Sequence, residues 1–462
     1  MEKPLKISLK IISPVHIGCD DVYEPTGFII NESKKKLVVF DTLDFIKSLS
    51  DTDRKQFAEL CMQGDVASIP KLYYFIGNKK IEGKEIDIAS GLPANYQKVK
   101  ALSKSNDEKR IKQELNQFAI KRTAYNPHND LPYIPGSSLK GSLRTAYLNM
   151  LADQTGTTGW KGKAKDLELK LMNGAFDTDP FRFVKVSDFL PVGAVKTKIM
   201  YAVNKKKITS KFEARGPYQI FEVIQPGAVF EGTISILEPS PKAGIKKAVT
   251  KNELFPAIRD FYGSAFTHEC KLMKGIGVNC NLYEEVKEQY KGIFNTAAFV
   301  IRAGRHSGSE AVTIEGSRQI KIMQGKGKPP KFQDSSNTVW LASEQSKTNS
   351  NAGLLPLGWM LLSTSPLQGA LDESRALKSQ PPPEPPKPPA DPASSVMGRI
   401  DALQHQNIAG QAEAVVTEIE KLEQPESRAK AARHFLSKIG SDKKKFKGKE
   451  WFQKLHDLAG SE

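Results

Sequence analysis

A chain of 462 residues with 39% hydrophobic and 26% charged residues is long enough for two or three folded units and apolar enough for real cores. No run approaches the roughly 18 consecutive apolar residues of a membrane helix, and the opening Met1-Glu2-Lys3-Pro4 lacks the order of a secretory signal, so the expectation is a cytoplasmic protein without a membrane partner. The net charge of +16 suits a polyanionic partner, because each phosphate neutralised releases counterions; solubility alone is the plain alternative.

In chain order, Leu5–Ile12 reads as a strand, and Phe28–Ile30 with Leu37–Phe40 as a hairpin across Asn31–Lys36. Helical patterns follow at 42–48, 51–63 and 107–120. A strand-rich block runs from Arg182 to Leu237, in which Phe230, Ile234 and Ile236 alternate with Glu231, Thr233 and Ser235 as on a half-buried antiparallel strand. Ala297–Ala303 and Ala311–Met323 read as further strands, and the class is α+β with mainly antiparallel sheet. The proline run Pro381–Pro389 cannot join a ladder or a helix, so a linker is placed at 366–395. Beyond it, Val415, Val416, Ile419 and Leu422, then Phe435, Leu436 and Ile439, then Trp451, Phe452 and Leu455 recur at helical spacing and predict a small helical domain over 396–462. Its lysines Lys443–Lys445, Lys447 and Lys449 suit phosphate or a solvated turn equally well.

The most informative stretch is Ile134-Pro135-Gly136-Ser137-Ser138-Leu139-Lys140-Gly141-Ser142-Leu143-Arg144. Pro135 and Gly136 predict a turn, and Ser137 or Ser138 a cap for the helix that follows. On that helix Leu139, Leu143, Ala146, Tyr147, Met150 and Leu151 share one face, while Lys140 and Arg144 share another. The like charges repel slightly, and an anion at this helix start would relieve them. Ser142 stands where a Walker loop needs its lysine, which argues against nucleotide hydrolysis.

That stretch, together with Ser13-Pro14-Val15-His16-Ile17-Gly18 and with Ile301-Arg302-Ala303-Gly304-Arg305-His306-Ser307-Gly308, resembles the motif set of the RAMP proteins, the repeat-associated proteins of CRISPR systems. Within that family, length and motif wording are most similar to the subunit that caps the 3′ end of the guide RNA in type III-A (Csm) complexes. The resemblance covers residues 1–365 and implies two ferredoxin-like, RRM-related halves. It further implies CRISPR guide RNA and target RNA, with other RAMP backbone subunits, as partners. Carried onto this chain, the RNA contacts would be Gly136, Ser137, Ser138, Lys140 and Arg144, then Arg302, Gly304, Arg305 and Gly308, with Arg122 as a further candidate. Other basic residues, Lys196, Lys198, Lys205–Lys207, Lys326 and Lys328, fit either a backbone-tracking groove or solvent. Tyr133, Tyr201, Tyr218 and Phe221 fit either base stacking or the core.

The cap subunit is expected to be non-catalytic. The alternative is a RAMP-type endoribonuclease, which processes CRISPR RNA or cleaves target RNA with a histidine as acid or base. Of His16, His128 and His306, the last is the leading candidate, since flanking arginines attract phosphate and hold the ring neutral. Asp20, Asp21, Asp177 and Asp179 read as turn formers. His268, Cys270 and Cys280 lack paired metal-ligand spacing, so the four cysteines are expected to be buried thiols and no metal or cofactor is expected.

Overall fold

A computed structural model describes residues 3–208, 214, 216–325, 327–347, 351–367, 392–403 and 408–460. Contacts divide the chain into two compact units, Met1–Ala376 and Leu377–Glu462. Most of the predicted linker, and Lys326, lie outside the described residues. Among the described residues no helix is long and apolar enough to cross a membrane.

The larger unit is α+β, and its described residues hold two large sheets and two short two-stranded ribbons. In the first, the order is Leu190–Val192, Val229–Ile236, Leu5–Ile11, Trp359–Ser363 and Ala298–Arg302, antiparallel throughout, with Val184–Val186 also pairing Val229–Ile236. Leu5–Ile11 is central: Ile7 through Ile11 are buried without alternation, so even Lys10 is enclosed and its pKa is lowered by burial. The helices Gly136–Gln154 and Lys251–Gly275 pack together, the first placing Leu139, Leu143, Ala146, Tyr147 and Leu151 in the core with Met150 at its margin.

The second sheet runs Gly18–Val22, Ile120–Thr123, Gln219–Ile224, Thr197–Lys206, Lys84–Ile88, Lys36–Val39 and Phe28–Asn31. Two of its pairings are parallel, Ile120–Thr123 with Gln219–Ile224 and Lys84–Ile88 with Thr197–Lys206. Thr338–Ser343 pairs the far half of the long strand Thr197–Lys206. The expected hairpin is present as Phe28–Asn31 against Lys36–Val39. So are the expected helices, as Thr42–Ser48, Asp51–Gln63 and Glu108–Phe118. Asp41, Ser50 and Asp107 begin these three helices by accepting free first-turn amides.

Several expectations are corrected. Ala311–Met323 is no continuous strand: Ser309–Val312 is a short 3-10 turn, and only Ile320–Ile322 is extended, pairing with Lys331–Gln333. This small ribbon leaves Met323 and Phe332 exposed. Tyr201 and Phe221 are fully buried, and Tyr218 lies edge-on to Tyr201 at 5.3 Å, so these rings are engaged by the protein and not presented for stacking. Cys270 and Cys280 are buried with their sulfurs 3.0 Å apart, but Cys61 is exposed.

The smaller unit is helical: Pro392–Ala402, Ile408–Glu420, Pro425–Ile439 and Glu450–Ala459, with a single turn at Lys443–Phe446. Its own core gathers Val415, Val416, Ile419, Phe435, Leu436, Ile439, Trp451, Phe452 and Leu455. Pro425 opens the third helix, where its missing N–H is harmless, and Gly440 closes it.

Candidate nucleic-acid interface

The three motif segments interlock where the two sheets meet. Ser13–Gly18 crosses from one sheet to the other. On the first side, Ser13 Oγ accepts the Trp359 amide at 2.9 Å, and the Pro14 carbonyl accepts that of Gly358 at 2.9 Å. On the second, Val15 and Ile224 exchange backbone bonds of 3.1 and 2.8 Å, and the Ala124 amide donates to the Ile17 carbonyl at 2.7 Å. The His16 carbonyl accepts the Arg305 amide at 2.8 Å, which ties the glycine loop to this crossing. The helix joins through Ser142, whose buried hydroxyl donates to the Arg302 carbonyl at 2.7 Å across 160 residues.

This interlocking explains two glycines. A Cβ at Gly136 would lie 2.4 Å from the Val186 carbonyl oxygen and 2.5 Å from that of Ser187. At Gly304, with φ of 94°, it would lie 2.5 Å from the His16 carbonyl oxygen. Both glycines therefore admit the protein's own backbone at close range. Gly304→Ala should lower stability by about 1–3 kcal/mol, since the obstructing atom is backbone and the φ is left-handed. A urea midpoint that falls with unchanged slope would register that loss, and an unchanged midpoint would refute it.

The helix start differs from expectation in its cap. Neither Ser137 nor Ser138 caps it; Asp188 reaches across and accepts the Gly136 amide at 2.8 Å. That carboxylate occupies the place expected for a phosphate. Ser137 is exposed, Ser138 partly buried, and Gly141 faces open space. Arg144 holds Asp179 at 2.7 Å and Glu168 at 3.2 Å, so its charge is met by protein carboxylates. Lys140 is half-buried on the same helix, and its pKa is lowered by burial first and by Lys185 and Arg144 as like charges, with Asp179 opposing.

Arg302 is the largest correction. It is buried, its guanidinium forms a bidentate pair with Glu269, donates through Nε to the Leu357 carbonyl at 2.9 Å and lies 4.8 Å over the Trp359 ring. No phosphate can reach it without breaking that core. Arg122 is likewise engaged: it pairs with Asp130 and stacks between Tyr125, at 3.6 Å, and Tyr23, at 4.9 Å. Lys198 pairs with Glu344, Lys205 with Asn351 and Lys207 with Glu310.

Arg305 is exposed, and among the described residues its guanidinium takes no acceptor. Beneath it, His16 and His306 flank Phe221, with ring centroids 4.9 and 5.5 Å away, and His306 also packs against Trp340 at 4.4 Å. His16 Nδ1 bonds the Glu222 carbonyl at 2.7 Å, whereas Nε2 of both rings is buried without a partner. Burial lowers the pKa of His16 to about 4, helped by Arg305 and Lys121; burial lowers His306 to about 3, helped by Arg305, His16 and Lys121. His306 is therefore neutral, as expected, but through burial above all, and its Nε2 is not offered to solvent. His128 is exposed in a turn.

Two cations that the motifs do not contain emerge here. Lys121 lies near enough to Arg305 for each to feel the other's charge, and Lys185 stands beside Lys140. Strand alternation held the signal for both: Lys121 points opposite to Arg122, and Lys185 is the exposed residue of Val-Lys-Val.

A two-sheet α+β chain in which a strand-crossing turn, a glycine-led helix and a glycine loop lock together defines one class of protein. The model of the RAMP superfamily matches residues 8–304, and the chain belongs to that superfamily. Over 201 residues it is 27% identical to the CRISPR system Cms protein Csm5 of Methanocaldococcus jannaschii, covering 40% of this chain. That match spans 43% of the relative's length, less than half. Among solved structures, a chain of the Csm-crRNA-target RNA ternary complex of a type III-A CRISPR-Cas system shares the fold, with TM-score 0.52 and 19% identity, over 78% of this chain and 100% of that one. The crystal structure of T. onnurineus Csm5 aligns with TM-score 0.45 and 18% identity over 76% of this chain and 99% of that one.

Proposed function

We propose that this chain is a non-catalytic subunit of a type III CRISPR effector ribonucleoprotein, holding guide RNA by its phosphate backbone. In this reading it sits toward the guide's 3′ end, packs on a neighbouring RAMP backbone subunit, meets target RNA in the same complex and works in the cytoplasm. The RAMP core is residues 1–365, and a proline-rich linker joins it to a helical tail whose first helix, Pro392–Ala402, begins inside the span 366–395 expected for the linker. The first sheet would be a ferredoxin-like half, because its strands alternate with the helices Gly136–Gln154 and Lys251–Gly275 in chain order.

One observation carries the reading: beside the interlocked motifs, cations gather in two groups, half-buried Lys140 with exposed Lys185, and exposed Arg305 with Lys121, whose ammonium also meets Gln219 Oε1 at 3.2 Å. Family membership and the relatives, a Csm5 protein and a chain from a Csm-crRNA-target RNA complex, point the same way. Lysine and arginine on phosphate position a strand without reading its bases, so binding should be indifferent to sequence. His16 is buried, and the Nε2 of both His16 and His306 is enclosed, which favours holding over cutting.

The test is the triple variant Lys121→Ala, Lys140→Ala, Arg305→Ala, titrated with repeat-containing guide RNA at several salt concentrations. Each lost phosphate contact should reduce the slope of log affinity against log salt by about 0.7. Wild-type affinity and slope in the folded triple variant would remove both cation groups from the interface.

A further inference from the structure

We propose that the ridge Lys443–Lys449 of the C-terminal helical unit is a second nucleic-acid site, which grips the phosphate backbone of a single strand without regard to its bases. It goes beyond the core interface proposed above and does not depend on it.

Five of the seven residues Lys443-Lys444-Lys445-Phe446-Lys447-Gly448-Lys449 are lysines, and all five are exposed. The segment is a folded feature: Lys443–Phe446 forms a helical turn, and Phe446 packs against Trp451 with ring centroids 5.2 Å apart. The Lys449 amide donates to the Phe446 carbonyl at 2.9 Å, and the next helix starts at Glu450. The lysines are thus held together on a short rigid turn, where their mutual repulsion persists until an anion relieves it.

Several other cations of this unit are used internally. Arg399 pairs with Glu418, Arg433 donates to the Ala459 carbonyl, Lys438 donates to the Asp401 carbonyl, and Lys454 pairs with Glu450. On the ridge only Lys445 has such a partner, Asp442 at 2.9 Å. Lys443, Lys444, Lys447 and Lys449 take no acceptor among the described residues.

The chemistry selects among polyanions. Protein interfaces favour arginine and aromatic residues and are depleted in lysine. Here the charges are all lysine, and Trp451 and Phe452 are turned into the unit's core. With no ring free to stack and no guanidinium fork, the ridge can read neither a base nor a paired carboxylate; it offers a row of point charges suited to successive phosphates. RNA and DNA strands should bind it alike, since nothing on it addresses a 2′-hydroxyl.

The experiment uses the full chain and a single-stranded oligouridylate of about 30 nucleotides, long enough to meet more than one site. Three variants are compared with wild type: Lys443→Gln, Lys444→Gln, Lys447→Gln, Lys449→Gln together; arginine at the same four positions; and the core triple variant above. The glutamine variant should lose about tenfold or more in affinity at about 50 mM salt and show a salt slope smaller by up to about 3, while the arginine variant binds as wild type. If the glutamine variant matches wild type while the core variant loses binding, the ridge is a solvated turn and the proposal falls, with the core reading intact. If the core variant alone keeps wild-type affinity, the ridge stands and the core reading falls. An oligoglutamate of equal charge that displaces the RNA at equal concentration would overturn the proposal in favour of an acidic protein surface.

Discussion

Replacing Arg302 with methionine should lower the unfolding free energy of the larger unit by about 3–5 kcal/mol, among the largest effects expected of any single substitution in this chain. The Arg302 side chain is 4% exposed and that of Glu269 11%. Without the guanidinium, the Glu269 carboxylate keeps only the Trp359 indole N–H, at 3.4 Å, and the Leu357 carbonyl loses its donor. A buried charge without a counter-charge is what makes breaking such a pair expensive. Removing both members, Arg302→Met with Glu269→Leu, should restore much of the loss, because the pair's own net worth is small once its desolvation is counted. Urea unfolding of the four species closes the cycle. A single variant within about 1 kcal/mol of wild type would refute the buried pair. RNA affinity per folded molecule should be unchanged in the double variant, and a large loss there would return Arg302 to the phosphate contacts.

Acidification should weaken the same unit well before the ordinary carboxylate range. His16 is almost completely buried, with a folded pKa near 4 against about 6.5 in the unfolded chain. Above pH 6.5 both states carry a neutral ring and this contribution to stability is complete. As pH falls below that, the unfolded chain takes the proton first, so stability declines until the folded ring also protonates near pH 4. The slope is about 1.4 kcal/mol per pH unit, and the total through His16 is about 3 kcal/mol. His306 acts with the same sign down to about pH 3. Glu222, whose carboxyl is pushed up by burial, acts with the opposite sign, so the informative quantity is the difference between wild type and a His16→Gln, His306→Gln variant. Between pH 7 and 5 the wild-type urea midpoint should fall relative to that of the variant. Parallel pH profiles would mean that the rings are open to solvent protons in the folded state.

Much of the secondary structure was legible because its causes are local. The Phe28–Asn31 hairpin, the capped helices after Asp41, Ser50 and Asp107, and the helical tail all follow from alternation, helical spacing and capping residues within a few positions. The long helix Lys251–Gly275 is less legible, for Pro256 interrupts a run whose apolar spacing would otherwise announce it. The apolar residues of Ala311–Met323 resemble those of a strand, yet Val312 and Met323 are exposed there.

By itself the sequence determined the class, the basic balance and the three motif segments, since each is written in adjacent residues. Only the tertiary structure decided what those residues do. Arg302 and Arg305 stand three apart in one glycine-bearing stretch, but one meets Glu269, 33 positions away, and is buried, while the other is exposed and its guanidinium takes no acceptor among the described residues. Gly136 and Gly304 likewise look like openings for a ligand until Val186 and His16 are seen against them. A charge or a glycine has its meaning set by the nearest atoms in space, and packing brings those from distant parts of the chain.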